Sequence, residues 1–258
     1  MGYVVLVSWV GYLLEFVVVC GGGSVSKFDV ALRFVRDLVC ILDSRVYAVI
    51  LFGSVAKGFA DECSDIDIMV IVDCYHPWID HQLADLCHRY FVEFGEVIEP
   101  LVVSLEEYFL KLSGNPLYVE VKKFGKVLYV NEDVVKDHVK KLLDLSNHYR
   151  EVAEVNYRMG YVRVSVDLLH NAIELLLKAL IMVKERPLPR TRGGYIHVFA
   201  ELYRDIVPEN LIAKLHKALR IRNMARYDPE YVPSEDEWTY VKQVYELVRE
   251  CVKKVLGY

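Results

Sequence analysis

The sequence predicts an α+β protein: a small mixed sheet flanked by helices over residues 27–130, followed by an antiparallel helical bundle over 131–258. Two observations carry this. Up to about residue 130, short continuous apolar runs that read as buried strands alternate with apolar stripes at 3.6-residue spacing. From Asn131 onward the strand signals stop and long helical patterns follow one another. A chain of 258 residues holds one large domain or two modest ones and needs no disulfide staples to bury a core. With 31 Lys+Arg against 36 Asp+Glu the net charge is −5, which excludes a globally basic nucleic-acid coat.

Taken in order, residues 3–20 are almost wholly apolar, broken only by Glu15, and lead into Gly21-Gly22-Gly23-Ser24, a flexible joint. The first basic residue is Lys27, so the run lacks the basic start of a secretory signal. A membrane-spanning helix would hold Glu15 near its centre at a cost of about 3 kcal/mol. Residues 1–26 therefore read as a hydrophobic extension, a membrane anchor or a partner-binding strand being the weaker alternatives. Residues 27–44 form an amphipathic helix through Phe28, Val30, Ala31, Phe34, Val35, Leu38, Val39 and Leu42. Residues 47–52 and 66–72 are buried strands, 78–92 a helix, 97–104 a third strand and 105–112 a short helix, before a turn at Gly114-Asn115-Pro116. Helices follow over 132–158, 161–185, 195–205, 209–227 and 235–256. Asn131 caps the first of these, and Ser234 with Glu237 forms a capping box ahead of the last.

Six cysteines without a CxxC pair point to free thiols and a cytoplasmic setting. The cluster Cys74, His76, His81, Cys87 and His88 lacks the paired short spacings of a zinc site and overlaps a helical stripe.

The chemistry concentrates in Leu51-Phe52-Gly53-Ser54-Val55-Ala56-Lys57-Gly58, followed after six intervening residues by Asp65-Ile66-Asp67. A strand ending in Gly-Ser turns sharply and brings the backbone close to a ligand. If a helix begins there, its free amides and the Ser54 hydroxyl form a phosphate cradle. Asp65 and Asp67, two apart at the head of a strand, share a face. Their like charges raise each other's pKa unless a cation intervenes, and Mg²⁺ accepts one or two carboxylates with waters and substrate phosphates. The pieces fit metal-assisted chemistry on a nucleoside triphosphate.

These motifs, F-G-S-x-x-x-G followed by S-D-I-D, resemble the signature of the DNA polymerase β-type nucleotidyltransferases in their minimal prokaryotic branch. The resemblance runs from about Phe28 to Tyr129 and includes the N-P-x-x-x-E-x-x-x-x-G segment at residues 115–125. It implies that Gly53, Ser54 and Lys57 bind the nucleotide and that Asp65 and Asp67 bind Mg²⁺ or Mn²⁺. It also implies a third acid from a neighbouring strand that helps activate the attacking hydroxyl. Glu99 is the best match, with Glu96 and Glu93 as fallbacks, and Pro100 confines its strand to an edge or bulge. The implied reaction moves a nucleoside monophosphate, AMP from ATP, to an unidentified hydroxyl acceptor.

Residues 135–256 resemble a HEPN domain through residues 167–180, the Arg192-Gly193-Gly194 turn and Arg222-Asn223-Met224-Ala225-Arg226-Tyr227. Ribonucleases of that family carry the arginine, then four to six residues, then a histidine. Here Arg222 and Asn223 match, but Tyr227 replaces the histidine, and a phenol near pKa 10 cannot share its general acid–base role. Arg222, Asn223, Arg226 and Tyr227 thus mark a second candidate site of doubtful nuclease activity. Residues 184–227 carry a net charge of +6 on a chain of −5, a basic zone able to steer a triphosphate or an RNA end.

The favoured reading is a nucleotidyltransferase acting on a small hydroxylated molecule or a protein tyrosine, with Tyr227 a candidate self-acceptor. The alternatives are a HEPN-type ribonuclease or RNA-binding, toxin–antitoxin-like module, and a catalytically silent nucleotide-binding protein. The HEPN resemblance also raises a homodimer; RNA is the less favoured partner and a membrane is disfavoured.

Overall fold

The computed structural model describes residues 25–112, 114–208 and 210–257; the apolar run at 3–20 lies outside them. The order is α1 (Lys27–Leu42), a 3-10 turn (Asp43–Arg45), β1 (Val46–Leu51), α2 (Gly53–Lys57), β2 (Ile66–Val72), α3 (Pro77–Phe94), β3 (Ile98–Ser104), α4 (Leu105–Lys111), α5 (Pro116–Phe124) and β4 (Lys126–Val130). Then come α6 (Glu132–Arg158), α7 (Val162–Val183), α8 (Arg192–Leu202), α9 (Leu211–Tyr227) and α10 (Glu235–Leu256). The α+β expectation holds.

The four strands lie in the order β3-β2-β1-β4. β1 runs antiparallel to β2 and β4, while β2 and β3 run parallel, as the crossover helix α3 permits. Pro100 sits on β3, an edge strand, where its missing amide costs no ladder bond on the outer side.

Each face of the sheet is covered. Val49, Leu51, Ile66, Ile68 and Val70 pack with Phe34, Leu38, Ile79 and Leu86 of α1 and α3. Tyr47, Ala48, Ile50, Met69 and Ile71 belong instead to a core continuous with Val135, Val139 and Leu142 of α6 and with the buried face of α7. Alternation along β2 therefore sends successive residues into two cores, and β1 follows it from Ala48 to Leu51, past a register shift between Val46 and Ala48 that leaves Tyr47 and Ala48 in the same core. Asn131 caps α6 through Asp133 N–H at 3.1 Å, and Ser234 and Glu237 form the capping box of α10.

Two elements differ from expectation. Residues 116–130, read only as a segment, form α5 and β4. The Arg192-Gly193-Gly194 turn is the first turn of α8, because Thr191 Oγ1 accepts the Gly194 amide at 3.1 Å. Among the described residues, no helix is long and apolar enough to cross a membrane.

Candidate functional site

Phe52 leaves β1 in extended conformation, and Gly53 takes φ +68°, the left-handed region that favours glycine. The Phe52 amide donates to the Asp67 carbonyl at 2.9 Å, tying the turn to β2. Because Phe52 is the N-cap of α2 and supplies no side-chain oxygen, the first amides of α2 have no side-chain cap among the described residues. Gly53 also lies directly on the Asp67 side chain: a Cβ there would stand 2.8 Å from Asp67 Cγ and would overlap Oδ2. The Gly53 turn and the Asp67 carboxylate are therefore built against one another.

Asp67 is half-buried, and its neighbours in β2, Ile66 and Ile68, point into the core under α1 and α3. Its partner in the parallel ladder is Glu99. Burial raises the Asp67 pKa most, and the negative charges of Glu99, Asp65 and Glu120 raise it further. The structure thus sets Asp67 against Gly53, with Asp65 and Glu99 near enough for their charges to act on it. Glu96 is engaged elsewhere, as the partner of Lys27. Glu93 is exposed near the end of α3 and is not among the acids that act on Asp67.

Lys57 ends α2; its ammonium pairs with Glu120 and lies 5.4 Å from the Phe124 ring centroid. Glu120 carried no expectation, although it is the acid of the N-P-x-x-x-E segment.

The second candidate site is a charged cluster among α7, α8 and α9. Arg222 is only 2% exposed, and its Nε lies 2.7 Å from Asp167 Oδ1. Arg226 reaches Asp167 Oδ2 at 2.9 Å, and Arg192 pairs with Glu174 at 2.8 Å. Asn223 accepts from Arg222 at 3.1 Å. His170, buried beside them, has an Nδ1 with no hydrogen-bond partner among the described residues. Burial, then Arg192 and Arg222, push its pKa down to about 3. Tyr227 is 71% exposed, with the Arg222 guanidinium 5.7 Å and the Arg226 guanidinium 5.9 Å from its ring centroid. A hydrogen bond from Arg222 and the charges of Arg222, Arg226 and Arg192 lower the Tyr227 pKa. Acids therefore neutralise part of the basic zone: Arg192, Arg222 and Arg226 are already paired. Sequence reasoning missed Asp167, His170 and Glu174, whose spacing on α7 was visible but whose partners come from two other helices.

Among the described residues, no three His, Cys, Asp or Glu side chains are arranged as a metal cage, which holds for the stretch from Cys74 to His88 and equally for Asp65, Asp67 and Glu99.

The profile of the nucleotidyltransferase domain family matches residues 32–145, and that of the HEPN domain family matches 139–255. A Methanocaldococcus jannaschii protein named "Putative protein adenylyltransferase MJ0604" is 36% identical over 97 residues, covering 38% of this chain and 92% of that protein. The chain belongs to the nucleotidyltransferase family. Its HEPN domain follows in the same polypeptide. A second M. jannaschii relative of this nucleotidyltransferase, "Putative protein adenylyltransferase MJ1305", is 32% identical over 98 residues, 37% of this chain and 66% of that one. The structure of a spectinomycin adenyltransferase from Enterococcus faecialis, solved with ATP and spectinomycin, aligns with 87% of this chain and 100% of that one. Its TM-score is 0.34 and its sequence identity 15%.

Proposed function

We propose that this nucleotidyltransferase moves AMP from ATP to a hydroxyl acceptor, using Gly53, Ser54 and Lys57 to hold the triphosphate and Asp65, Asp67 and Glu99 to hold Mg²⁺ or Mn²⁺. The observation that carries the reading is the half-buried Asp67, set against the Gly53 turn and crowded by the charges of Glu99 and Asp65. Such crowding suits a divalent cation: all three donors are hard oxygens, and Mg²⁺ needs only one or two carboxylates from protein. When bound, the cation supplies positive charge to phosphate oxygens. The uncapped amides at the start of α2 donate to phosphate oxygens, and Lys57 adds an ammonium. Glu99, exposed and opposite Asp67, takes the proton from the attacking hydroxyl. The acceptor oxygen bonds to the α-phosphorus as the bond to the β-phosphate oxygen breaks, and pyrophosphate departs.

A protein tyrosine is the acceptor this reading favours. The relatives named as protein adenylyltransferases support it. So does Tyr227, exposed and with its hydroxyl made more acidic by Arg222 and Arg226. The division into 27–130 and 131–258, after a 1–26 extension, and a cytoplasmic setting belong to the same reading.

The test is incubation with each α-³²P nucleoside triphosphate and Mg²⁺ or Mn²⁺, comparing wild type with Asp65→Ala/Asp67→Ala. Label on protein, or pyrophosphate release, that vanishes in the double variant is expected. Label that persists would refute the assignment of the two aspartates. Tyr227→Phe then separates self-labelling from transfer to another acceptor.

A further inference from the structure

Glu120 pairs with Lys57, and its charge also acts on Asp67, the two residues belonging to the two halves of the candidate nucleotide site. Its helix is firmly placed. Asn115 Oδ1 caps α5 by accepting the Leu117 amide at 3.0 Å, and Pro116 opens its first turn. At the far end Gly125 leaves no room for a side chain, since a Cβ would lie 2.7 Å from Ile50 Cγ2 on β1. Tyr118 and Val121 are buried in the core beneath the sheet. Between these two anchors Glu120 projects toward α2, where its Oε1 pairs with the Lys57 ammonium. Phe124, one turn further along α5, lies beside the same ammonium. Lys57 is thus held by a carboxylate and by an aromatic ring at once.

The negative charge of Glu120 also registers at Asp67. A carboxylate that contacts Lys57 and whose charge acts on Asp67 lies near both the end of α2 and the head of β2.

We propose that Glu120 is a positioning residue: it holds Lys57 aimed at the triphosphate and acts on the reaction only through that lysine. Lysine carries its charge on a flexible four-carbon stem and loses rotamer freedom whenever it is fixed on a phosphate. Restraining it beforehand removes part of that loss, which is the gain from preorganisation. The ion pair suits the task because it is weak. Its side chains are 32% and 43% exposed, so water screens the attraction, and the ammonium, with three N–H donors, can donate to a triphosphate oxygen while still paired with Glu120. A brace whose only purpose was to join α2 to α5 would gain more from burial than from two half-exposed charges.

This inference rests on the nucleotidyl-transfer reading, and the experiment separates the two. Affinity for Mg·ATP is measured by calorimetry, and kcat and KM by transfer, in wild type, Glu120→Gln, Lys57→Met and the double variant, with melting temperatures alongside. Glu120→Gln is expected to weaken Mg·ATP binding and raise KM about threefold to fivefold, the range of an exposed ion pair, with kcat within about twofold. Lys57→Met is expected to have an equal or larger effect, and adding Glu120→Gln to it should change nothing further. Glu120→Asp should recover part of the affinity. A collapse of kcat in Glu120→Gln that persists in the Lys57→Met background would overturn the proposal, because Glu120 would then act on the reacting atoms. A lowered melting temperature with unchanged affinity would overturn it in favour of a brace. If wild type neither binds nor turns over any nucleoside triphosphate, the nucleotidyl-transfer reading itself fails. If wild type does both and Glu120→Gln binds equally well, only the positioning role fails.

Discussion

Gly53→Ala tests the site at the point where backbone and carboxylate meet. The substitution carries two costs. An alanine held at φ +68° sits in the left-handed region, at about 1–2 kcal/mol. Its Cβ would also stand 2.8 Å from Asp67 Cγ and 3.2 Å from Asp67 Cβ, so either the carboxylate rotates away or the start of α2 moves. A displacement of about 1 Å in a positioned group costs on the order of 100-fold in rate. Gly58→Ala is the matched control: it has φ +77° but nothing within 4 Å of an added Cβ. Gly58→Ala should lose about 1–2 kcal/mol in urea unfolding, and Gly53→Ala at least as much because its Cβ also meets Asp67. Only Gly53→Ala should also lose transfer activity, by on the order of 100-fold. If Gly53→Ala transferred label within a few-fold of Gly58→Ala, the Gly53–Asp67 contact would have no bearing on chemistry and the argument would fail.

Three further outcomes are expected. Asp67→Asn should abolish transfer by on the order of 100-fold or more with no loss of melting temperature, because it removes one of several crowded like charges. Arg222→Ala should cost about 3 kcal/mol in a urea titration, the lower end for a broken buried pair, since Arg226 still holds Asp167 Oδ2; a loss below about 1 kcal/mol would count against a structural role for the pair. His170, whose folded pKa is about 3, is neutral in the fold yet protonates near 6.5 when unfolded. Its stabilisation is complete above pH 6.5 and is lost as pH falls toward 3, with a slope of up to about 1.4 kcal/mol per pH unit. His170→Gln should flatten stability against pH in that window, and an unchanged slope would place the acid sensitivity elsewhere.

Much of the framework was legible because periodicity reports burial. β2 runs over Ile66–Val72 and α6 ends at Arg158, as their apolar patterns indicate, and Asn131, Ser234 and Glu237 act as caps through contacts only two or three residues long. What escaped was either weakly patterned or long-range. β4 is an edge strand with Lys126, Val127 and Val130 exposed, so its sequence carries little alternation. The double glycine of α8 masked a helix start that Thr191 fixes. Gly53, Ser54, Asp65 and Asp67 stood out because the motif compresses the turn and its acids into fifteen residues. Glu120 did not, because its partner Lys57 is 63 residues away. Asp167 likewise finds Arg222 and Arg226 only through the packing of α7 on α9.

The core shared by the sheet and the bundle has a consequence for genetics. Two family profiles divide the chain near α6, yet Tyr47, Ile50, Met69 and Ile71 lie in one apolar body with Val135, Val139 and the buried face of α7. A gene cut at residue 131 would release two polypeptides, each displaying half of that body to water. The two products are therefore expected to need one another to cover that body, and co-expression should yield a complex where either half alone aggregates.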